Sequence, residues 1–520
     1  MGKNILDTKN SNNYEYVTNH LEIHVLGGIK LNKLDSLRVT LSINKTKNHN
    51  KLRHNIDLYN DNQVEKLVRK TAERIEIGTS IVRRTLQELT NELETYRLSQ
   101  LDQEDENEFT IRELTKKELR AAGAFLKKGN LLEATNDLIG NSGVIGEETN
   151  RLLMYIIFTS RKSANPLHCI SLGSSGTGKT HLQSKVAELI PEHDIVDMTV
   201  LSENAFYYFN RTELQHKLIL IEDMDGAENA LYPLRELQSK RSITKRVSHK
   251  DRNGNTKTIK LTVEGPVCVA GCTTQESIYE DNSNRSFLLY IDESHEQDEK
   301  IMQYQRKLSA GNVNIDEEIK AKRQLQNVQH LLKKIRVVNP FAEHLQLPKS
   351  VFKPRRTNAH YLQFIEAVTF YKQYQRERKY DETTGEEYIE TTIEDIKEAN
   401  QLLKEVLLRK SDMVSGACRN YLEKLKAYLK ERDSLPPSGE VPKAMGAFTN
   451  AEIRRNLRIK GTTLRRYHTQ LIADNYIKKT TNNKYKGYIY EIVSYEEYTE
   501  LQEQINNALE NCITTMEVSQ

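Results

Sequence analysis

The chain has no apolar run long enough to cross a membrane: its longest, Leu152–Phe158, falls far short of the roughly 20 residues that a helical span requires. It is poor in cysteine, with five in 520 residues and none in a CxxC pair, which argues against a zinc ribbon or a disulfide framework and favours core thiols. The first residues, Met1-Gly2-Lys3-Asn4, open an Asn/Lys-rich stretch with no apolar segment, so no secretory signal is read there and a cytoplasmic location is expected. An excess of charge of one sign is also missing. Lys and Arg total 76 against 73 Asp and Glu, a net +3, so any case for nucleic-acid binding must rest on where the charge sits. No internal repeat is visible.

What is present is length and polarity. A chain of 520 residues, 37% hydrophobic and 29% charged, is too long for one core and calls for several domains without a disordered composition. Residues 1–13 read as a polar, mobile tail. Strand-like runs at Leu21–Leu26, Leu37–Ile43 and His54–Leu58 precede helical patterning from Asn62 to Ser99, which predicts an N-terminal α/β domain over residues 14–100. The acidic stretch Asp102–Glu108 reads as a solvated linker, residues 101–109. A strand-and-helix core over residues 110–295, a helical lid region over 296–410, a small domain over 411–495 and a helical tail over 496–520 complete the expected order.

The strongest motif is Gly173-Ser174-Ser175-Gly176-Thr177-Gly178-Lys179-Thr180, which fits GxxxxGK[ST] and follows the apolar run Leu167–Leu172. Downstream, Leu182, Val186, Leu189 and Ile190 recur at helical spacing, so the strand–loop–helix setting of a phosphate loop is in place. Glycines let backbone N–H groups curl around a β-phosphate, Lys179 neutralises β/γ oxygens, and the Thr180 hydroxyl is suited to ligate Mg²⁺. The expected cofactors are ATP and Mg²⁺.

A second apolar strand, Lys217–Ile221, ends in Glu222, Asp223 and, two residues on, Asp225. Carboxylates at the C-terminal end of a buried parallel strand stand where such sheets place ligands. One acid of the pair Glu222 and Asp223 would hold Mg²⁺ and the other polarise the attacking water, the order being open. Pro266–Thr274 is a further buried strand ending in hydroxyls, so Thr273 or Thr274 could sense a γ-phosphate. Arg285, in a polar loop before Phe287–Ile291, is placed to act as an arginine finger on a neighbouring subunit. Arg356, ahead of the helix Tyr361–Tyr374, is a second cationic contact from the lid.

Between these elements, Arg241–Val263 carries two β-type runs around Asn253-Gly254. A three-residue turn ending at Gly254 pairs Val247 with Ile259 and Ile243 with Val263, and this register keeps like with like. It gathers Arg246, Lys250 and Lys260 on the other face, with Arg252 at the tip, as a candidate grip on a nucleic-acid backbone.

The string Gly143–Glu148, Ser160-Arg161-Lys162, the phosphate loop, Ile221-Glu222-Asp223, Leu237-Gln238-Ser239, Val263–Val267, Asn284–Phe287 and Ile291–Ser294 resembles the AAA+ ATPases of bacterial mobile elements. That family often carries a zinc-finger primase module and is related to minichromosome-maintenance helicases. The resemblance covers about residues 110–410. It implies an α/β P-loop AAA+ fold with a helical lid and a homo-hexameric ATP-driven DNA helicase on single-stranded or forked DNA. Lys179, Thr180, Glu222, Asp223 and Arg285 would take the roles above. No N-terminal Cys/His finger or primase segment is present, which leaves primer synthesis to a separate primase or polymerase partner.

Near the C-terminus, Thr449-Asn450-Ala451-Glu452 fits a capping box opening a short helix. A second helix follows with Leu464, Tyr467 or His468, and Leu471 inward and Arg465, Arg466 and Gln470 outward, then a hairpin with Lys484 and Lys486 at its tip. Helix, basic helix and basic hairpin resemble a winged helix, which sets its second helix in the major groove. The function expected from all of this is a DNA helicase or translocase replicating a mobile element. The alternative is a nucleotide-gated DNA-binding switch without processive unwinding.

Overall fold

The computed structural model describes residues 6–8, 10, 12–30, 36–45, 51–107, 113–199, 202, 204–225, 231–250, 256–275, 285–434, 446–483 and 487–518. The chain divides into two compact units, Met1–Arg112 and Glu113–Gln520. Among the described residues no helix is long and apolar enough to cross a membrane.

The first unit is an antiparallel sheet of β1 (Leu6–Asp7), β2 (Asn13–Val17), β3 (Leu21–Leu26), β4 (Arg38–Lys45) and β5 (Leu52–Asp57), paired in sequence order. Alternation sets Leu21, Ile23 and Val25 on one face. There they meet Leu67, Val68 and Ile75 of helix Asp61–Ile75 and Val82, Leu86, Leu89 and Leu93 of helix Thr79–Asn107. Two expectations are corrected. The stretch read as a mobile tail contributes β1, whose Leu6 pairs with Tyr16. The stretch read as a linker is helical as far as Asn107.

The second unit is built on a parallel sheet in the order β12–β6–β11–β8–β7. Its strands are β6 (His168–Leu172), β7 (Ile195–Met198), β8 (Leu218–Ile221), β11 (Cys268–Thr273) and β12 (Phe287–Tyr290), interrupted by the hairpin strands β9 (Ser242–Lys250) and β10 (Thr256–Glu264). Every residue of β6, β8 and β11 is buried, as expected for strands covered on both faces. Alternation splits them into two cores. Cys169, Leu218, Leu220, Cys268, Ala270, Phe287 and Leu289 face helices Glu148–Thr159, Lys179–Ala187 and Pro354–Tyr371. Ile170, Ile219, Ile221 and Val269 face Phe206, helix Leu231–Lys240 and the hairpin base at Ile243 and Val263. All five cysteines are buried, and none is in a disulfide.

The β9–β10 register pairs Val247 with Ile259, Ile243 with Val263, and Arg246 with Lys260, as the alternation of apolar residues predicts. Arg252 and Gly254 lie outside the described residues, as does the side chain of Lys250.

The region read as a helical lid holds helices His295–Ser309, Ile315–Leu331 and Ile393–Ser411 together with a small sheet of β13 (Arg336–Val338), β14 (Lys379–Tyr380) and β15 (Glu387–Glu390). Beyond it come helix Gly416–Ser434, β16 (Ala447–Thr449), helices Asn450–Asn456 and Gly461–Ala473, and strands β17 (Ile477–Asn483) and β18 (Gly487–Ile492), with the sheet ordered β16–β18–β17. Leu464, Tyr467, His468 and Leu471 are buried, whereas Arg465 and Arg466 are exposed. His468 is packed: it meets the Tyr421 hydroxyl at 2.5 Å, and burial pushes its imidazole down to about 4. Lys484 and Lys486 lie outside the described residues. The final helix, Glu497–Val518, returns Ile505, Leu509, Cys512 and Met516 to the main core.

The joint between the sheet and the C-terminal elements is tight. A Cβ on Gly416 would stand 1.9 Å from the ring of Tyr290, at the end of β12, and the Arg409 guanidinium covers that ring at 5.0 Å. Gly416→Ala is therefore expected to destabilise the second unit by about 1–3 kcal/mol, read by thermal melting, with partial recovery when Tyr290→Leu is added. Melting unchanged from wild type would show that this contact is not close-packed.

Candidate active site

The loop after β6 turns on Gly176 and Gly178, at φ +85° and +88°, where glycine alone carries no Cβ penalty. A Cβ at either would meet nothing within 4 Å, so neither turn is packed against another part of the described chain. Gly178 caps helix Lys179–Ala187, whose first amides point into the loop and favour an anion. The buried Lys179 Nζ donates to Gly173 O at 2.9 Å and Ser174 O at 2.6 Å. Thr177 Oγ1 donates to Ser174 O at 2.9 Å, and the Ser174 amide donates to Glu293 Oε1 at 2.7 Å. Glu293 thus ties the start of the loop to the end of the sheet.

The acids arrive from β8, beside β11. Their turn folds over the neighbouring strand: Met224 N donates to Cys272 O at 3.0 Å, and a Cβ on Gly271 would stand 2.4 Å from Met224 Sδ. Cys272 reports what converges there. Burial pushes its thiol up to about 11, the Thr180 hydroxyl and Lys179 oppose this, and Glu222 and Asp223 add to it. Lys179, Thr180, Glu222 and Asp223 therefore gather around the end of β11.

Asp225 belongs to the same group. Its Oδ1 accepts from the Thr273 hydroxyl, and its Oδ2 accepts from Thr274 N at 3.0 Å and Thr274 Oγ1 at 2.7 Å. Burial raises its pKa, but these hydrogen bonds and the charge of Lys179 outweigh that, and the carboxyl lies below its ordinary range. Asp223 Oδ1 accepts from Asp225 N at 2.9 Å. The sequence ranks Asp225 behind Glu222 and Asp223, with no sign that it holds both threonines. The available signal was the Asp-Met-Asp spacing, which returns a second carboxylate to the same side of the turn. Glu293 was visible only inside a longer motif, with no role attached.

The strings at Gly143–Glu148 and Ile291–Ser294 meet behind the loop. Glu147 accepts from Asp292 N at 2.7 Å and from Asn150 Nδ2 at 2.6 Å, and burial raises its pKa despite both bonds.

Arg285 and Arg356 are elsewhere. Both line a cavity of about 400 Å³ with Arg241, His168, Ser239 and His360, at the start of β6 rather than its end. Arg285 Nε donates to Ser239 Oγ at 2.8 Å. Burial, with Arg285 second, pushes His168 down to about 3, and burial followed by Lys410, His168 and Arg356 does the same to His360. At five residues and about 3.3 Å per residue, β6 separates this cavity from the phosphate loop by roughly 16 Å.

A second cavity, of about 310 Å³, adjoins the phosphate loop. Leu172, Gly173, Ser174 and Thr274 form one wall, and Tyr421, Lys424, Thr463 and Tyr467 of the C-terminal elements form the other.

These residues fit a magnesium–nucleoside triphosphate. The Lys179 ammonium is held by carbonyl oxygens that phosphate oxygens could replace, the space beside Gly176 and Gly178 is unfilled, and a hydroxyl and acids lie nearby.

Residues 115–333 match a family profile described as "MTBMA_p00010 P-loop domain". No curated protein matches the chain. Among solved structures, a presumed ATPase from Cytophaga hutchinsonii is similar at 14% identity, covering 57% of this chain and 99% of that one with a TM-score of 0.30. The profile match over residues 115–333, with the parallel sheet and the loop after β6, shows that the chain carries an α/β P-loop domain with a nucleotide-binding loop.

Replacing Lys179 removes charge-assisted hydrogen bonds worth about 1.5–3 kcal/mol. Lys179→Ala is expected to weaken nucleoside triphosphate binding about 10- to 100-fold with little change in melting temperature, as measured by titration with a fluorescent nucleotide. Wild-type affinity in the folded variant would contradict this site.

Proposed function

We propose that the chain is an ATP-hydrolysing motor of the AAA+ class that works on DNA as a ring of identical subunits. In the family its sequence resembles, that ring is a hexamer. The observation that carries the reading is the separation of its cations. Lys179 stands at one end of β6, Arg285 and Arg356 at the other, so a site using all three needs two subunits. The strand order supports the same class, with the acid strand separated from the phosphate-loop strand by β11.

Bound Mg²⁺–ATP would supply the anhydride to be broken. On the protein side, the loop amides and Lys179 bind the β- and γ-phosphates, and Thr180 with one acid of Glu222 and Asp223 holds the metal. The other acid orients water and accepts its proton. Asp225 fixes Thr273 and Thr274 on the γ-phosphate side. Arg285 and Arg356 of an adjacent subunit offset the charge that develops. DNA contact is assigned to the exposed Arg246 and Lys260 of the β9–β10 hairpin, with Lys250 and Arg252, and to a C-terminal winged helix through Arg465, Arg466, Lys484 and Lys486. Helicase work in replication of a mobile element, with a separate primase or polymerase, is the setting the resemblance implies.

One observation favours a second reading, a nucleotide-gated DNA-binding switch. Tyr467 and Thr463, from the helix that carries Arg465 and Arg466, line the cavity beside Gly173 and Ser174. Strand displacement on forked DNA with ATP separates the two, since a switch binds and hydrolyses without parting the strands.

The shared site is tested by mixing inactive parents. Arg285→Ala, Arg356→Ala and Lys179→Ala are each expected to lose ATP hydrolysis, an arginine finger contributing about 10³–10⁵ in rate. Mixing either arginine variant with Lys179→Ala should restore a minority of working interfaces. A mixture that stays inactive while subunits demonstrably exchange would contradict a site shared between chains.

A further inference from the structure

The surface beside the hairpin base carries aromatic rings where solvent-facing polar residues are the rule. Phe206, Leu234, Leu237, Ile243 and Val263 share one core, which locks three stretches together: the turn at Ala205–Tyr207, helix Leu231–Lys240 and the first rungs of β9 and β10. Above that core, Tyr208 is 78% exposed and Tyr232 60% exposed. Tyr207, half-buried between them and the core, carries the Lys245 ammonium 5.4 Å from its ring centroid. Lys245 also donates to Asn204 Oδ1. The Arg235 guanidinium covers Tyr232 at 5.8 Å. Burial raises the pKa of Tyr207, and Tyr232 and Glu236 add to it, so Tyr232 is a near neighbour of Tyr207. Glu236 is itself ion-paired with Lys240 at 2.5 Å, which leaves the cationic side chains in excess around the rings.

Exposing two tyrosines forgoes the burial that such side chains ordinarily gain. Exposed rings rooted beside a packed core and edged with Lys and Arg have the composition of a base-stacking platform. Every base has a π-face, so such a surface binds without sequence preference, while the cations follow the backbone. Duplex DNA keeps its bases inside the stack and cannot use the rings.

We propose that Tyr208 and Tyr232 form a stacking platform for the bases of single-stranded DNA, with Lys245 and Arg235 holding the phosphates. The proposal rests on the DNA-motor reading and adds what that reading leaves open: the strand form gripped, and the side chains that sense it.

The test is equilibrium binding of the full-length protein to fluorescein-labelled oligothymidine and to the same backbone made abasic. Stacking contributes about 1–3 kcal/mol per base, which corresponds to about 5- to 150-fold in affinity. Tyr208→Ala and Tyr232→Ala are expected to lose binding to oligothymidine within that range, Tyr208→Phe to bind like wild type, and all of them to bind the abasic strand equally. Thermal melting checks folding, and Tyr208→Leu, similar in size but unable to stack, replaces any alanine variant that unfolds. Oligothymidine binding unchanged in Tyr208→Ala or Tyr208→Leu overturns the platform and leaves the motor reading standing, as does an equal loss on the abasic strand. Failure of the wild-type protein to bind either strand overturns both.

Discussion

The structure depends on β6 being held in the interior of a parallel sheet. Hydrogen-bonded to β11 on one side and β12 on the other, with no exposed residue, the strand cannot tilt or slide without breaking two ladders and opening two cores. Its ends are therefore fixed points. One delivers Gly173 and the phosphate loop at the place where the acids of β8 and the hydroxyls of β11 also emerge. The other delivers His168 into the cavity that holds Arg285 and Arg356. The proposed division of labour between subunits follows from that rigidity, because no local rearrangement brings the two ends of one buried strand together.

The same geometry gives the C-terminal elements a direct view of the nucleotide loop. Lys424 and Tyr421 come from the helix whose first residue, Gly416, is pressed against Tyr290, and they line the cavity at Gly173 and Ser174. Lys424 Nζ also reaches the carbonyl of Glu293 at 3.4 Å, and the Glu293 carboxylate accepts from Ser174 N. A short chain of hydrogen bonds thus runs from the C-terminal elements through Glu293 to the loop. A phosphate drawn into the loop would compete for Lys179, whose present partners are the carbonyls of Gly173 and Ser174, and would bear on the same residues. Thr463 and Tyr467, from the helix that carries Arg465 and Arg466, line the same cavity.

Parts of this were legible in the sequence where a local pattern suffices. The phosphate loop shows itself by glycine, lysine and threonine spacing, and the β9–β10 register by the cost of facing Val247 with a lysine. What escaped was set by distance along the chain or by composition. β1 and β2 lie in an Asn-rich stretch whose polar residues hide the alternation of Tyr14 and Tyr16, both buried. The acids of residues 102–108 suggest a linker, but Glu and Gln favour helix and the helix from Thr79 runs on as far as Asn107. Arg356 reads as a cationic contact from the lid, but where that contact falls was not legible: its helix is docked by Tyr361, Phe364 and Ile365 on the main core, a long-range contact that no local pattern encodes. Asp225 was undervalued because its threonine partners are some 50 positions away in sequence and meet it only once β8 and β11 pair.

The central claim is that a complete catalytic site contains residues of two chains. The most direct measurement is ATP turnover per chain against protein concentration, with the assembly state followed by mass photometry in the same samples. The account predicts turnover per chain that falls toward zero as assemblies dissociate to monomers and rises in step with the assembled fraction. Turnover per chain that stays constant down to concentrations where only monomers remain would contradict it.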